Sequence, residues 1–325
     1  MDKADLVLIR AHGLDDGFKA LPFGLLDLSS YLEKFGFVVK IIDRHAHKFS
    51  FSQTLRFIEQ WNPHYIGISA ITCQADDALK LGRYINKRLK KPILYGGLHF
   101  TIFPEEGLTI GNIVVRGEGE NALLEILNNS VKDIRIHTAK PIDDLDAIPL
   151  PKESLIKSLF RKGNSFAILT SRGCPYNCLF CLSKEYRESV LRYHSVEYVL
   201  DFIELIKKTL NINVFSILDD IFTINEKRVF EFCDALHRRG LKIKLGCFSR
   251  VGIDNLQMYI SMKKAGFYNI AIGIESGNDD VLKAIEKNQT VEQARRTIEI
   301  IKKAGLSVSA TFMLGNITET EKTTS

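Results

Sequence analysis

Short apolar runs alternate with longer stretches in which apolar residues recur every three or four positions, and this alternation occurs twice along the chain. In the first half, Leu6 to Arg10, Val38 to Asp43, Tyr65 to Ser69, Ile93 to Gly97 and Ile113 to Arg116 predict buried strands. Leu25 to Phe35 and Asp76 to Leu89 predict amphipathic helices between them. Such alternation builds a parallel sheet covered by helices on both faces, which receives ligands at the carboxyl ends of its strands. Residues 131–163, with Lys140-Pro141 and Pro149-Leu150-Pro151, lose the apolar periodicity and predict a linker. Beyond it, Phe166 to Thr170, Val214 to Leu218, Ile243 to Cys247, Ile270 to Ile274 and Leu306 to Met313 predict a second set of strands. Helical runs at Val196 to Lys208, Lys227 to Arg239, Leu256 to Ala265 and Val291 to Ala304 connect them, as in a (β/α) barrel or part of one.

Composition sets the frame. A chain of 325 residues, 45% hydrophobic and 26% charged, can bury two cores. The formal charge of +5 is mild and its basic residues are dispersed, which makes nucleic acid an unlikely partner. No apolar run is long enough to span a bilayer and no secretory signal precedes the first strand, so the expectation is a cytoplasmic, reducing location without membrane partners. Six cysteines are too sparse for a disulfide framework.

Three of those cysteines, Cys174, Cys178 and Cys181, stand in one loop, Thr-Ser-Arg-Gly-Cys-Pro-Tyr-Asn-Cys-Leu-Phe-Cys, directly after the first strand of the second set. Three thiolates can hold three irons of a cubane and leave the fourth open to a small ligand. A structural zinc site would want four closed ligands, and no second Cys-x-x-Cys arm or paired histidine follows. The spacing resembles that of the radical S-adenosylmethionine (SAM) enzymes, whose loop carries an aromatic residue before the last cysteine, here Phe180. The resemblance implies a [4Fe-4S] cluster that binds SAM at its open iron and cleaves it to a 5'-deoxyadenosyl radical, with an electron donor such as flavodoxin or ferredoxin.

The resemblance also assigns the polar strand ends. Asp219 or Asp220 would accept a hydrogen bond from the SAM amino group, although two adjacent carboxylates also read as a helix cap. Arg250, after Ser249, would pair with the SAM carboxylate, or else forms a surface ion pair. Glu275 and Ser276, in Gly273-Ile274-Glu275-Ser276-Gly277, match the family's fourth strand end, where a carboxylate holds the ribose or the amino group. Gly315-Asn316-Ile317-Thr318-Glu319-Thr320 is similar to the family's Gly-x-Pro-Gly-Glu-Thr turn, with Ile317 and Thr318 in place of Pro-Gly. The family barrel has six strands and five are counted here, which reads as a barrel truncated at the C-terminus.

In the first half, the loops Leu21-Pro22-Phe23-Gly24, Ser69-Ala70-Ile71-Thr72, Gly96-Gly97-Leu98-His99 and Arg116-Gly117-Glu118-Gly119-Glu120 follow in an order that resembles the Rossmann-like cobalamin-binding domain of one large radical SAM branch. Each loop alone also reads as a simple strand-to-helix turn. The resemblance nominates Ser69, Thr72, Gly96, Gly97, His99, Gly117 and Glu118 as cobalamin contacts. Asp43-Arg44-His45-Ala46-His47-Lys48 begins like the Asp-x-His-x-x-Gly motif of other cobalamin proteins, but it lacks the glycine and follows the second predicted strand where the first is required. His45 and His47 are therefore expected to be solvated loop residues.

The resulting expectation is a cobalamin-binding domain at 1–130, a linker at 131–163 and an incomplete radical SAM barrel at 164–325 that methylates an unactivated carbon of a small molecule. Ring closure and other radical reactions occur on the same architecture. An RNA methylthiotransferase would carry three further cysteines in its first domain for a second cluster, where Cys73 stands alone. A non-catalytic protein that holds cobalamin or a cluster is the reading from a different class. Replacing Cys174, Cys178 and Cys181 by Ala is expected to abolish iron uptake, whereas replacing Cys73, Cys233 and Cys247 leaves it intact; iron and sulfide assays of the two triple variants check this.

Overall fold

A computed structural model of the protein describes residues 3–13, 21–129, 135–161, 166–183 and 190–324. The chain divides into two compact units, Met1–Asn164 and Ser165–Ser325. In the first, the strands are β1 (Leu6–Arg10), β2 (Val39–Asp43), β3 (Tyr65–Ser69), β4 (Ile93–Gly96), β5 (Ile113–Val115) and β6 (Ile136–His137). All neighbours are parallel and the sheet order is β2-β1-β3-β4-β5-β6. Leu6, Val7, Leu8 and Ile9 are all buried, which is why β1 reads as a continuous apolar run and not as alternation. The order reverses direction between β1 and β3, and open parallel sheets receive ligands beyond the carboxyl ends of the strands near such a reversal.

The helices follow their local signals. Phe51–Trp61 starts at a capping box in which Ser50 and Gln53 satisfy each other's backbone N–H, and it ends at left-handed Asn62. In Ala75–Asn86, Gly82 admits the fully buried ring of Tyr95, whose hydroxyl donates to the Ala78 carbonyl at 3.2 Å.

The segment that reads as a linker contributes structure to the first unit over its described residues. β6 extends the sheet, pairing Val114 with Ile136 and Val115 with His137. Ile142 and Ile148 pack on Tyr31, while Ile156 and Leu159 of the helix Glu153–Leu159 are buried. Two-residue strands and isolated apolar anchors leave no periodic signature, so a sequence reading sees only prolines and charge.

The second unit holds a five-stranded parallel sheet of β7 (Phe166–Ile168), β10 (Val214–Ile217), β11 (Lys244–Ser249), β12 (Phe267–Glu275) and β13 (Ser307–Phe312). Its order, β13-β12-β11-β10-β7, never reverses. Successive crossovers of one hand place the helices on one side, the arrangement of a barrel wall. The short strands β8 (Ser171–Arg172) and β9 (Arg192–Tyr193) form an antiparallel ribbon whose connection carries the three cysteines. Gly173 starts that connection at φ 103°, where a side chain would collide with the Val190 carbonyl.

Asp219 fixes where this ribbon leaves the sheet. Its carboxylate, 1% exposed, accepts from the Thr170 backbone N–H at 2.6 Å, from the Thr170 hydroxyl and from the Ser171 hydroxyl at 2.7 Å. The buried Arg228 guanidinium completes the group by donating to the carbonyls of Thr170 and His194 at 3.2 and 2.9 Å. Burial pushes the Asp219 carboxyl up, and the Thr170 and Ser171 bonds and the Arg228 charge pull against it.

Two outcomes follow for urea titrations. Asp219→Ala strands the Arg228 charge and three donors, and is expected to cost about 3–5 kcal/mol; a loss below about 1 kcal/mol would refute the brace. Gly82→Ala drives a methyl into the Tyr95 hydroxyl and is expected to cost about 1–3 kcal/mol, where an open surface glycine would gain stability on the same change.

Candidate active site

The cysteine loop lies over the carboxyl ends of β11 and β12. Cys174 and Cys178 are half-buried and Cys181 is exposed. Burial pushes the Cys174 thiol up; the Tyr176 backbone N–H opposes this, while the Asp220 carboxylate and the other two loop thiols add to it. A metal cation arriving beside such a thiol would stabilise its thiolate form. Sulfur-directed donors are already in place: the Ser183 N–H lies 3.5 Å from Cys181 Sγ and Arg250 Nη1 lies 3.7 Å from Cys178 Sγ. Among the described residues no three His, Cys, Asp or Glu side chains gather on one point as a single metal ion requires. A cubane asks one thiolate of each iron, and the donor set fits that demand.

Arg250 is 6% exposed, so it is not a surface ion pair. Its guanidinium is engaged on two nitrogens and one face: Nη1 faces Cys178, Nη2 donates to the Lys287 carbonyl, and the plane covers the Tyr176 ring at 3.9 Å. Ser249 beside it is buried, bonded to the hydroxyls of Thr223 at 2.6 Å and Tyr259 at 3.2 Å. Glu275 ends β12 at φ 70°, where the register with β13 shifts, and its Oε1 accepts from Lys287 Nζ at 3.0 Å. Lys287 Nζ in turn lies 5.3 Å above the ring of Phe180. Ser276 is buried and accepts from the Asn278 N–H at 3.2 Å.

Phe180, Arg250, Glu275 and the cysteine loop therefore meet around Lys287. The two aspartates part: Asp220 places its charge near Cys174, while Asp219 points into the core. Neither caps a helix, since the N-cap of Glu226–Arg238 is Asn225. Sequence reasoning missed Tyr176, Lys287, Thr170 and Arg228, because a buried cation paired through the fold has no local pattern. In the turn after β13, Glu319 accepts from the Gly315 and Asn316 N–H groups, and Thr318 takes φ 68° where the family pattern has glycine.

In the first unit, Ser69, Gly96, Gly97 and His99 form one cradle at the ends of β3 and β4. The Ala70 N–H donates to Gly96 O, the His99 N–H donates to Ala70 O, and Gly97 turns at φ 89° against Ser69 Oγ and Ala70 O, where a side chain has no room. Gly117 joins this group through the Thr101 hydroxyl at 3.0 Å. Glu118 is half-buried beside it, and Thr72 is exposed on the turn Thr72–Gln74. His99 is buried; its Nε2 meets Glu106 Oε2 at 3.2 Å and its Nδ1 has no hydrogen-bond partner among the described residues. A buried, unused imidazole nitrogen at a sheet's ligand end, with glycine backbone beside it, fits a flat polar cofactor. His45 corrects the sequence expectation: Asp43 caps the helical turn Arg44–His47 and buries it, while His47 stacks on Phe49 at 5.0 Å.

Comparisons with known proteins agree with this layout. Residues 168–324 match the family model of the radical SAM superfamily, and residues 10–127 match the B12 binding domain. An uncharacterised methyltransferase of Pyrococcus horikoshii is 32% identical over 93% of this chain and 71% of its own length. The anaerobic magnesium-protoporphyrin IX monomethyl ester cyclase of Rubrivivax gelatinosus is 26% identical over 93% of this chain, which spans 60% of that enzyme. The cobalamin-dependent SAM radical enzyme OxsB, solved with aqua-cobalamin and SAM bound, shares the fold at a TM-score of 0.84 and 22% identity, over 96% of this chain and 49% of that one. The methyltransferase TsrM of Kitasatospora setae superposes at 0.83 with 16% identity, over 99% of this chain and 71% of its own. No helix among the described residues is long and apolar enough to cross a membrane. With the thiol loop at the end of one parallel sheet and a glycine cradle at the end of another, the chain belongs to the radical SAM superfamily, in the branch whose barrel follows a B12-binding domain.

Proposed function

We propose that this chain forms the catalytic core of a cobalamin-dependent radical SAM methyltransferase acting on an unactivated carbon of a small molecule. The observation that carries the reading is the meeting of the thiol loop with the buried Glu275 at one strand end. Cys174, Cys178 and Cys181 hold the cluster, and Phe180, Asp220, Glu275 and Ser276 form the SAM pocket. Asp219 serves that pocket by holding the end of β7, and Arg250 serves it through Cys178. Ser69, Thr72, Gly96, Gly97, His99, Gly117 and Glu118 orient cobalamin.

When bound, a reduced cluster supplies one-electron cleavage of SAM and cobalamin supplies a methyl carrier. The protein's part is orientation and exclusion of water. Glu275, paired with Lys287, offers its carboxylate edge to a ligand ammonium or to ribose hydroxyls. The aromatic rings of Tyr176 and Phe180 cover the cations beside the thiols and keep water from them. A cytoplasmic location and a flavodoxin- or ferredoxin-like reductant complete the proposal. The cyclase relative favours a second reading, ring closure by the same radical route.

Electron paramagnetic resonance of anaerobically reconstituted, dithionite-reduced protein tests the reading. A cubane signal that shifts on adding SAM is expected; a cluster that ignores SAM overturns it. Glu275→Ala is expected to weaken SAM binding at least about tenfold with unchanged iron content, measured by equilibrium dialysis.

A further inference from the structure

Three attachments join the cysteine loop to the turn that follows the helix Asp279–Ala284. The Leu179 N–H donates to Ile285 O at 3.0 Å. The Phe180 ring lies 5.3 Å from Lys287 Nζ. Arg250 bonds the Lys287 carbonyl with one nitrogen and reaches Cys178 Sγ with the other. Lys287 itself is 8% exposed, and it is flanked by Glu286 and Asn288 at φ 54° and 52°. Two left-handed non-glycine residues around one buried lysine make a backbone that its surroundings hold in place, which is characteristic of functional positions.

Stability does not account for this lysine. A buried ion pair is at best neutral against apolar residues of the same volume, because both charges lose their hydration. The strand is nonetheless notched for the pair, since a side chain at Gly273 would strike the Glu275 carboxylate and come within 3.0 Å of Lys287 Nζ. The ammonium meets Oε1 of Glu275, while Oε2 takes no hydrogen bond among the described residues.

Resting on the reading that Glu275 receives SAM, we propose that Lys287 is the positioning residue of this site. Its ammonium turns the carboxylate so that Oε2 is presented, and its carbonyl seats Arg250 against Cys178. One lysine thus links the ligand carboxylate to a cluster thiolate, and losing its charge disorders the first while sparing the loop's iron. A residue that only filled the core would show neither selectivity.

The test uses the full chain, reconstituted anaerobically, as wild type, Lys287→Met, Lys287→Arg and Gly273→Ala, with iron content, equilibrium dialysis against SAM and the SAM-induced change in the resonance signal as readouts. Lys287→Met is expected to keep its iron, bind SAM at least about tenfold more weakly and lose the signal change, and Lys287→Arg to recover affinity to within about threefold. Gly273→Ala keeps both charges but displaces them, and is expected to follow Lys287→Met even if the latter folds poorly. Wild-type affinity in both Lys287→Met and Gly273→Ala overturns the inference. So does loss of iron in step with affinity that Lys287→Arg fails to rescue. A wild type that takes up iron and ignores SAM overturns the parent reading before any variant is compared.

Discussion

A carboxylate taken out of water must find donors, and Asp219 finds its donors on the segment that launches the cysteine loop. Thr170 and Ser171 satisfy it, and Arg228 satisfies the carbonyls of Thr170 and His194. The end of β7, the β8–β9 ribbon and the loop between them are thus located by one buried group from the neighbouring strand. An apolar residue at 219 would leave the Thr170 and Ser171 donors without partners and the ribbon without a fixed exit.

The loop's far side is held by a different chemistry. Cations approach it from the barrel ends: Arg250 at Cys178 and Tyr176, and Lys287 at Phe180. Hydrogen bonds and positive charge near cluster sulfurs raise a cluster's reduction potential, while the carboxylates of Asp220 and Glu275 act in the opposite direction. The site therefore holds both signs of charge in low dielectric, where each is felt strongly. A planar guanidinium that serves a sulfur, a carbonyl and an aromatic face together has no lysine equivalent.

Much of this architecture was legible in the sequence because parallel strands buried on both faces write themselves as unbroken apolar runs. Leu6–Arg10 and Tyr65–Ser69 fall where those runs predict. Glu275 stood out for a related reason, as a charge placed directly after such a run. The opposite held for Lys287 and Arg228, whose partners lie 12 residues away or more and on other elements. Asp219 and Asp220 look alike in sequence, and only the side of the strand each faces separates a buried brace from a charge beside Cys174. The region 131–163 misled because β6 pairs by backbone alone and its apolar anchors are scattered. His45 misled because the Asp43 cap, and not apolar periodicity, buries it.

The two other thiols of the second unit are set apart by burial. Cys233 is pushed up to about 12 and Cys247 well above the ordinary thiol range, both chiefly by desolvation. Thiolates, not thiols, capture metals and exchange disulfides. The half-buried and exposed loop sulfurs are therefore the thiols of the second unit that an incoming metal ion or oxygen reaches, while Cys233 and Cys247 are closed off in the packed interior. Oxidation confined to that loop would fall on its three thiols and leave the packed interior untouched.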